Sequence, residues 1–206
     1  MALVTVDLAA PQSMRGRWAA WAAVGRATGG GKRCYAKGPV WHYDDGGGNW
    51  IDLHHLGDGR AVLTGNDHAC SPDPDDEDFD PMDGAPWWWE DPVREAVRAN
   101  ENVAVVHGFD GTVWQRVASD VDDGFSAIGL PALTLARTRE RIADACRYDP
   151  ATGLFDPTRP APSDETIDAL IAADADVTEE LVAAVVGAKA GDPAAGAAHA
   201  RAFLTA

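Results

Sequence analysis

The stretch Asn49-Trp-Ile-Asp-Leu-His-His-Leu56, Gly57-Asp-Gly59, Arg60-Ala-Val-Leu-Thr-Gly-Asn66 decides the fold. Two largely apolar runs flank Asp58-Gly59, the dipeptide favoured by a two-residue type I′ hairpin loop. With that loop Gly57 faces Arg60, Leu56 faces Ala61 and His54 faces Leu63. One face then carries Ile51, Leu53 and His55 against Val62, Thr64 and Asn66. The other carries Trp50, Asp52, His54 and Leu56 against Leu63, Gly65 and Asp67. Neither face is purely apolar, although a half-buried hairpin normally sorts its residues cleanly.

Outward from this hairpin the pattern repeats. Asn102–Phe109, Asp110-Gly111 and Thr112–Ser119 read as a second hairpin, and Ala2–Leu8, Arg33–Ala36 and Val40–Tyr43 read as further strands. Ser13 can cap a helix to about Thr28. Asp91 with Pro92 can open another to Asn100, and Thr134 a third to about Arg147. The expected fold class is α+β: an antiparallel sheet built from β-hairpins, with packed helices and a C-terminal Ala-rich helical appendage. Residues 1–148 form the α+β domain and 149–162 a Pro-rich linker. Residues 163–206 form the appendage, capped at Ser163, Thr178 and Asp192. Its large apolar residues are too few to sustain a domain alone, so it is expected to pack on the main body.

The chain has 206 residues, with 17 basic and 33 acidic side chains and a net charge of −16. Ten of the acids lie in 67–91, which has no Lys or Arg and ends near Trp87-Trp88-Trp89. Nucleic acid and anionic membranes are disfavoured as partners, because both require a basic surface. No apolar run approaches the length of a membrane span. The N-terminus lacks a basic region ahead of an apolar one, and Cys34, Cys70 and Cys146 are odd in number and widely spaced. Both point to a cytoplasmic protein without a disulfide framework. Abundant Ala, Gly, Asp and Arg fit a bacterial source.

Residues 67–91 are too rich in Pro and Asp for a helix or central strand, and long structureless loops in compact domains are usually functional or disordered. The spacing of its acids lacks the order of a calcium-binding EF-hand loop. Clustered carboxylates steer basic partners and tryptophans supply desolvated anchors. The candidate partner-binding residues are therefore Asp73, Asp75, Asp76, Glu77, Asp78, Asp80, Asp83, Trp87, Trp88 and Trp89. Consecutive residues fan around an element, so at least one Trp of the triplet should be buried.

A second constellation lies on the first hairpin. Asp52, His54 and Asp67 share a face in the expected register, with diagonal neighbours about 7–8 Å apart. They form a candidate acid–base site. His54, Asp67 and His68 form a candidate metal site, with His42 as a further possible ligand. His54 and His55 point to opposite faces and cannot chelate together. The bland alternative is that these polar residues line a solvated sheet face or bond loop backbones. No cofactor motif is present: Gly29-Gly-Gly-Lys32 lacks phosphate-loop spacing, and no Ser sits in a nucleophile elbow.

The string Asp44-Asp-Gly-Gly-Gly-Asn-Trp-Ile-Asp-Leu53, then Gly57-Asp-Gly-Arg-Ala-Val-Leu63 and Asn66-Asp-His68, resembles the central motif of the SUKH superfamily. It also resembles uncharacterised actinobacterial proteins that pair such a motif with a Trp-rich acidic stretch. The likeness covers about 25 of the 206 residues. Leu130-Pro131 follows the motif here, whereas the family's Leu-Pro precedes it. Many members are immunity proteins that neutralise toxins, and the resemblance implies that role. Together with the acidic loop, this makes the leading expectation a non-enzymatic inhibitor of a basic bacterial toxin, such as a nuclease. The alternatives are a metal-assisted hydrolase or lyase using the His/Asp cluster, and a structural subunit of a larger assembly.

Overall fold

The computed structural model describes residues 2–29, 33–73, 79–100, 102–149, 152, 154–187 and 191–205. Among them are seven strands and six α-helices, an α+β fold. The strands are β1 (Leu3–Val6), β2 (Cys34–Lys37), β3 (Val40–Asp44), β4 (Trp50–His55), β5 (Ala61–Asn66), β6 (Val105–Phe109) and β7 (Trp114–Val117). They lie in one antiparallel sheet in the order β1-β7-β6-β5-β4-β3-β2. The helices are α1 (Pro11–Ala27), α2 (Glu90–Asn100), α3 (Leu135–Ala145), α4 (Asp164–Ala172), α5 (Glu179–Val186) and α6 (Pro193–Ala200). Among the described residues no helix is long and apolar enough to cross a membrane.

The chain forms two compact units, one of residues 1–11 and 39–130, the other of 12–38 and 131–206. Helices α1 and α3, which the sequence groups with the sheet, thus fall in the second unit with the C-terminal helices.

In the first unit the β4–β5 hairpin corrects the expected register. Leu53 faces Leu63 and His54 faces Val62. The Leu56 N–H bonds to the Arg60 carbonyl at 2.8 Å, which leaves a three-residue loop, Gly57-Asp58-Gly59. Gly59 takes φ +85°, the left-handed conformation such a loop needs at its last residue. The one-residue shift turns every β5 side chain to the other face. The β6–β7 pairing differs by two residues, with Phe109 opposite Trp114 and Asp110–Val113 as the loop. There the Asp110 carboxylate accepts the N–H groups of Thr112 and Val113. A shift of two leaves the faces unchanged.

The corrected register sorts the sheet. One face carries Trp41, Ile51, Leu53, Leu63, Val105 and Trp114, all buried. The other is apolar at one end, where Val62, Val106 and Val117 form a core cluster with Trp89, flanked by Leu3, Met82 and Val93. At its β3–β4 end that face is polar, with His42, Asp52, His54 and Thr64.

In the second unit the caps fall where the local sequence places them. Thr134, Ser163, Thr178 and Asp192 accept from the N–H groups of Arg137, Thr166, Leu181 and Ala195. Helix α1 begins at Pro11 rather than after Ser13, because proline at the first helical turn has no N–H to leave unsatisfied. Met14, Trp18 and Val24 of α1 are fully or almost fully buried. Gly16 lets the helix approach so closely that an added Cβ would collide with the Ile171 carbonyl of α4. The Arg15 Nε donates to the Asp174 carboxylate at 2.9 Å, and the Trp18 and Phe203 rings lie 6.4 Å apart. Helix α1 therefore supplies the apolar bulk that α4–α6 lack. Residues 163–206 expressed alone should show little helix by circular dichroism, since short helices without packing are marginal in water. A cooperative, concentration-independent melt of that fragment would contradict this packing account.

Candidate functional site

The tryptophan triplet opens the segment that covers the apolar end of the sheet. Trp87–Trp89 form a single 3₁₀ turn running directly into α2, so the helix starts at Glu90 rather than being capped by Asp91. The turn sends the three rings in different directions. Trp89 is fully buried and lies against Gly108, where an added Cβ would come within 2.1 Å of the indole nitrogen. Trp88 is half-buried, edge-on to Trp89 at 5.7 Å. Trp87 is 76% exposed, the most exposed large apolar side chain among the described residues.

A cation of the same unit lies over the outer two rings. The Arg60 Cζ lies 4.9 Å from the Trp88 centroid and 5.8 Å from that of Trp87. Its Nε donates to the Asp58 carboxylate at 2.7 Å. This hydrogen bond holds the Asp58 carboxyl below its ordinary pKa. Of the candidate acids, Asp73, Asp80 and Asp83 are exposed. The Asp80 carboxylate accepts the Met82 N–H at 2.7 Å and so shapes the approach to the turn. Asp75, Asp76, Glu77 and Asp78 lie outside the described residues. Glu90 and Asp91 add exposed carboxylates on the first turn of α2, both within reach of Arg94.

The corrected register separates the hairpin constellation. Asp52 and His54 remain on one face, opposite Thr64 and Val62. Asp67, expected beside them, caps the following turn instead, accepting the N–H groups of Ala69 and Cys70 at 3.0 and 2.8 Å. His68 bonds through its N–H and Nδ1 to the Asn49 side-chain oxygen. Asn49 in turn donates to Asp45 at 2.8 Å, and Asp45 accepts the Gly47 N–H at 2.6 Å. The Asp44–Asn49 and Asn66–His68 motifs are thus joined as a clamp between two loops. Among the described residues no group of three or more His, Cys, Asp or Glu side chains is placed to hold a metal ion. His54, Asp67 and His68 are accordingly not assembled as ligands.

What the register does assemble is His42 with Asp52, directly opposed across β3 and β4. Their Nδ1 and Oδ1 atoms are 2.6 Å apart, with side chains 15% and 10% exposed. His54 Nε2 lies 3.3 Å from the Thr64 hydroxyl, and its Nδ1 is 4.0 Å from Glu95 of α2. Burial lowers the His54 pKa, and the charges of Asp52 and Glu95 offset this only in part. His54 is therefore neutral in the folded protein at neutral pH. The unfolded chain takes up a proton near 6.5 that the folded chain resists, so stability is lost as pH falls through that value. Thermal melts from about pH 7.5 to 5.5 should show this loss, and His54→Asn should flatten the dependence relative to wild type. An unchanged slope in the variant would contradict it.

A second buried pair had no sequence signal. His107 Nε2 lies 2.9 Å from Asp123 Oδ2, and the His107 ring packs 4.8 Å from that of Phe125. Burial pushes the Asp123 carboxyl up, but the hydrogen bond and charge of His107, with the Phe125 N–H and Arg116, carry it below its ordinary value. The pair anchors the loop after β7 on the sheet. Cys34 and Cys146 are buried thiols whose pKa burial raises, to about 11 for Cys146. Cys70 is exposed, but the neighbouring Asp67 charge raises its pKa and keeps the thiolate scarce. Comparison of the chain with protein families, curated proteins and solved structures finds no match.

Proposed function

We propose that this chain is a non-enzymatic binding protein of the immunity or antitoxin type, which neutralises a basic bacterial toxin such as a nuclease. The observation that carries this reading is Trp87. A tryptophan 76% exposed gives up burial that folding normally demands, and the Arg60 guanidinium lies 5.8 Å from its ring centroid, beside the packed Trp88–Trp89 pair. Tryptophans are favoured centres of protein interfaces, because a large, stiff ring offers much contact area for little conformational entropy lost when a partner covers it. The acids of 67–91 surround this anchor in sequence and would compete with phosphate for a cationic substrate groove. The likeness to SUKH immunity proteins points the same way.

The test is a growth assay with the chain co-expressed beside the toxin-like product of the gene next to its own. Protection should accompany a complex that survives size-exclusion chromatography, and Trp87→Ala should weaken both. Growth arrest unrelieved by the chain, with no complex, would count against the proposal. A second reading, acid–base chemistry at His42 and Asp52, draws on their 2.6 Å hydrogen bond. Hydrolysis of a chromogenic ester or phosphodiester that is lost in His42→Ala would favour it.

A further inference from the structure

The protein itself shows what the faces of these tryptophans accept. Its own Arg60 guanidinium lies against both Trp87 and Trp88, and is held there by Asp58. Arg60 leaves most of Trp87 uncovered, since 76% of that residue remains in solvent. The surroundings of the free surface are anionic. The Asp58, Glu90 and Asp91 side chains are 52%, 61% and 90% exposed, and the two nearby arginines, Arg60 and Arg94, are both already paired with carboxylates.

Two physical facts narrow the chemistry of what can cover it. A guanidinium is planar and weakly hydrated, so it stacks on an indole while keeping its N–H fork free for a carboxylate. An ammonium is a compact, strongly hydrated charge and loses more water on the same contact. We infer that the partner seats an arginine guanidinium on the outer surface of Trp87 and directs its N–H groups to a carboxylate of the Glu90-Asp91 turn. The inference rests on the basic-partner reading above and narrows it from any cationic surface to one centred on arginine.

Paired probes of equal charge test this on the full chain. N-acetyl-arginine amide and N-acetyl-lysine amide are titrated while the Trp87 indole N–H resonance is followed by NMR, assigned by its absence in Trp87→Phe. The arginine probe should shift that resonance with several-fold lower dissociation constant than the lysine probe. The backbone N–H resonances of Glu90 and Asp91 should report the same preference, and Trp87→Leu, which alters an exposed side chain, should abolish it there. Deca-arginine and deca-lysine peptides then separate the inference from its premise. Equal affinity for both peptides, with no preference at Trp87, would overturn the arginine seat and leave the basic-partner reading standing. Failure of both peptides to bind would overturn both.

Discussion

Gly108→Val should unfold the sheet's covering segment or destabilise the protein by about 3 kcal/mol or more, the upper range for overpacking a close-packed core. The position sits on β6 against the Trp89 indole, and a Cβ there would come within 2.1–2.4 Å of three of its ring atoms. The indole cannot shift along the sheet, because it packs in one buried cluster with Val62, Val106 and Val117, and its only way out is towards solvent. In a chain of this size a loss of that order lowers the melting temperature by about 10 °C. Trp89 fluorescence should shift red as the ring is expelled towards water. A change below about 1 kcal/mol would show that the Trp89 packing described above is wrong.

The tryptophan triplet should divide cleanly when each ring is removed. Trp89→Ala should cost about 3–5 kcal/mol of stability, as large-to-small core substitutions of aromatics do. Trp87→Ala should change stability by less than about 0.5 kcal/mol, since an exposed side chain contributes little to folding. The same variant should weaken a partner complex by about 2 kcal/mol or more, the threshold of an interface hot spot. Urea unfolding and calorimetric titration read the two effects separately. Equal stability losses at both positions would mean that Trp87 is a packing residue and that the surface is not an anchor.

Features set by neighbours in the chain were legible. The caps Thr134, Ser163, Thr178 and Asp192 could be named from residue type and position because a cap bonds only to N–H groups two or three residues on. The hairpins, and with them the α+β class, followed from the Asp58-Gly59 and Asp110-Gly111 turn dipeptides between strand-like runs. The register of β4 and β5 was not legible. Asp58-Gly59 fits both a two-residue loop and the last two positions of a three-residue loop, and only the Gly59 conformation decides between them. That single step moved Asp67 off the face of Asp52 and His54.

Tertiary pairings were harder still. Asp52 finds its partner in His42 through the register of β3, and His107 finds Asp123 through the path of a loop 16 residues away in sequence. No spacing rule connects such residues. For the triplet, fanning of consecutive side chains implied that one Trp is buried. Which one depends on the 3₁₀ turn and on the gap above Gly108.

If an acidic surface anchored by Trp87 engages a basic partner, their association should depend on long-range charge attraction. Stopped-flow association with the purified partner, followed from low salt to about 0.15 M, tests it most directly because the screening length there shrinks to about 8 Å. The association rate of the wild type should fall steeply with salt. Association should be slower and less steeply salt-dependent when Asp75, Asp76, Glu77 and Asp78 are replaced by Asn and Gln, and dissociation faster in Trp87→Ala. Association that is indifferent to salt, to the neutralised loop and to Trp87 would contradict it.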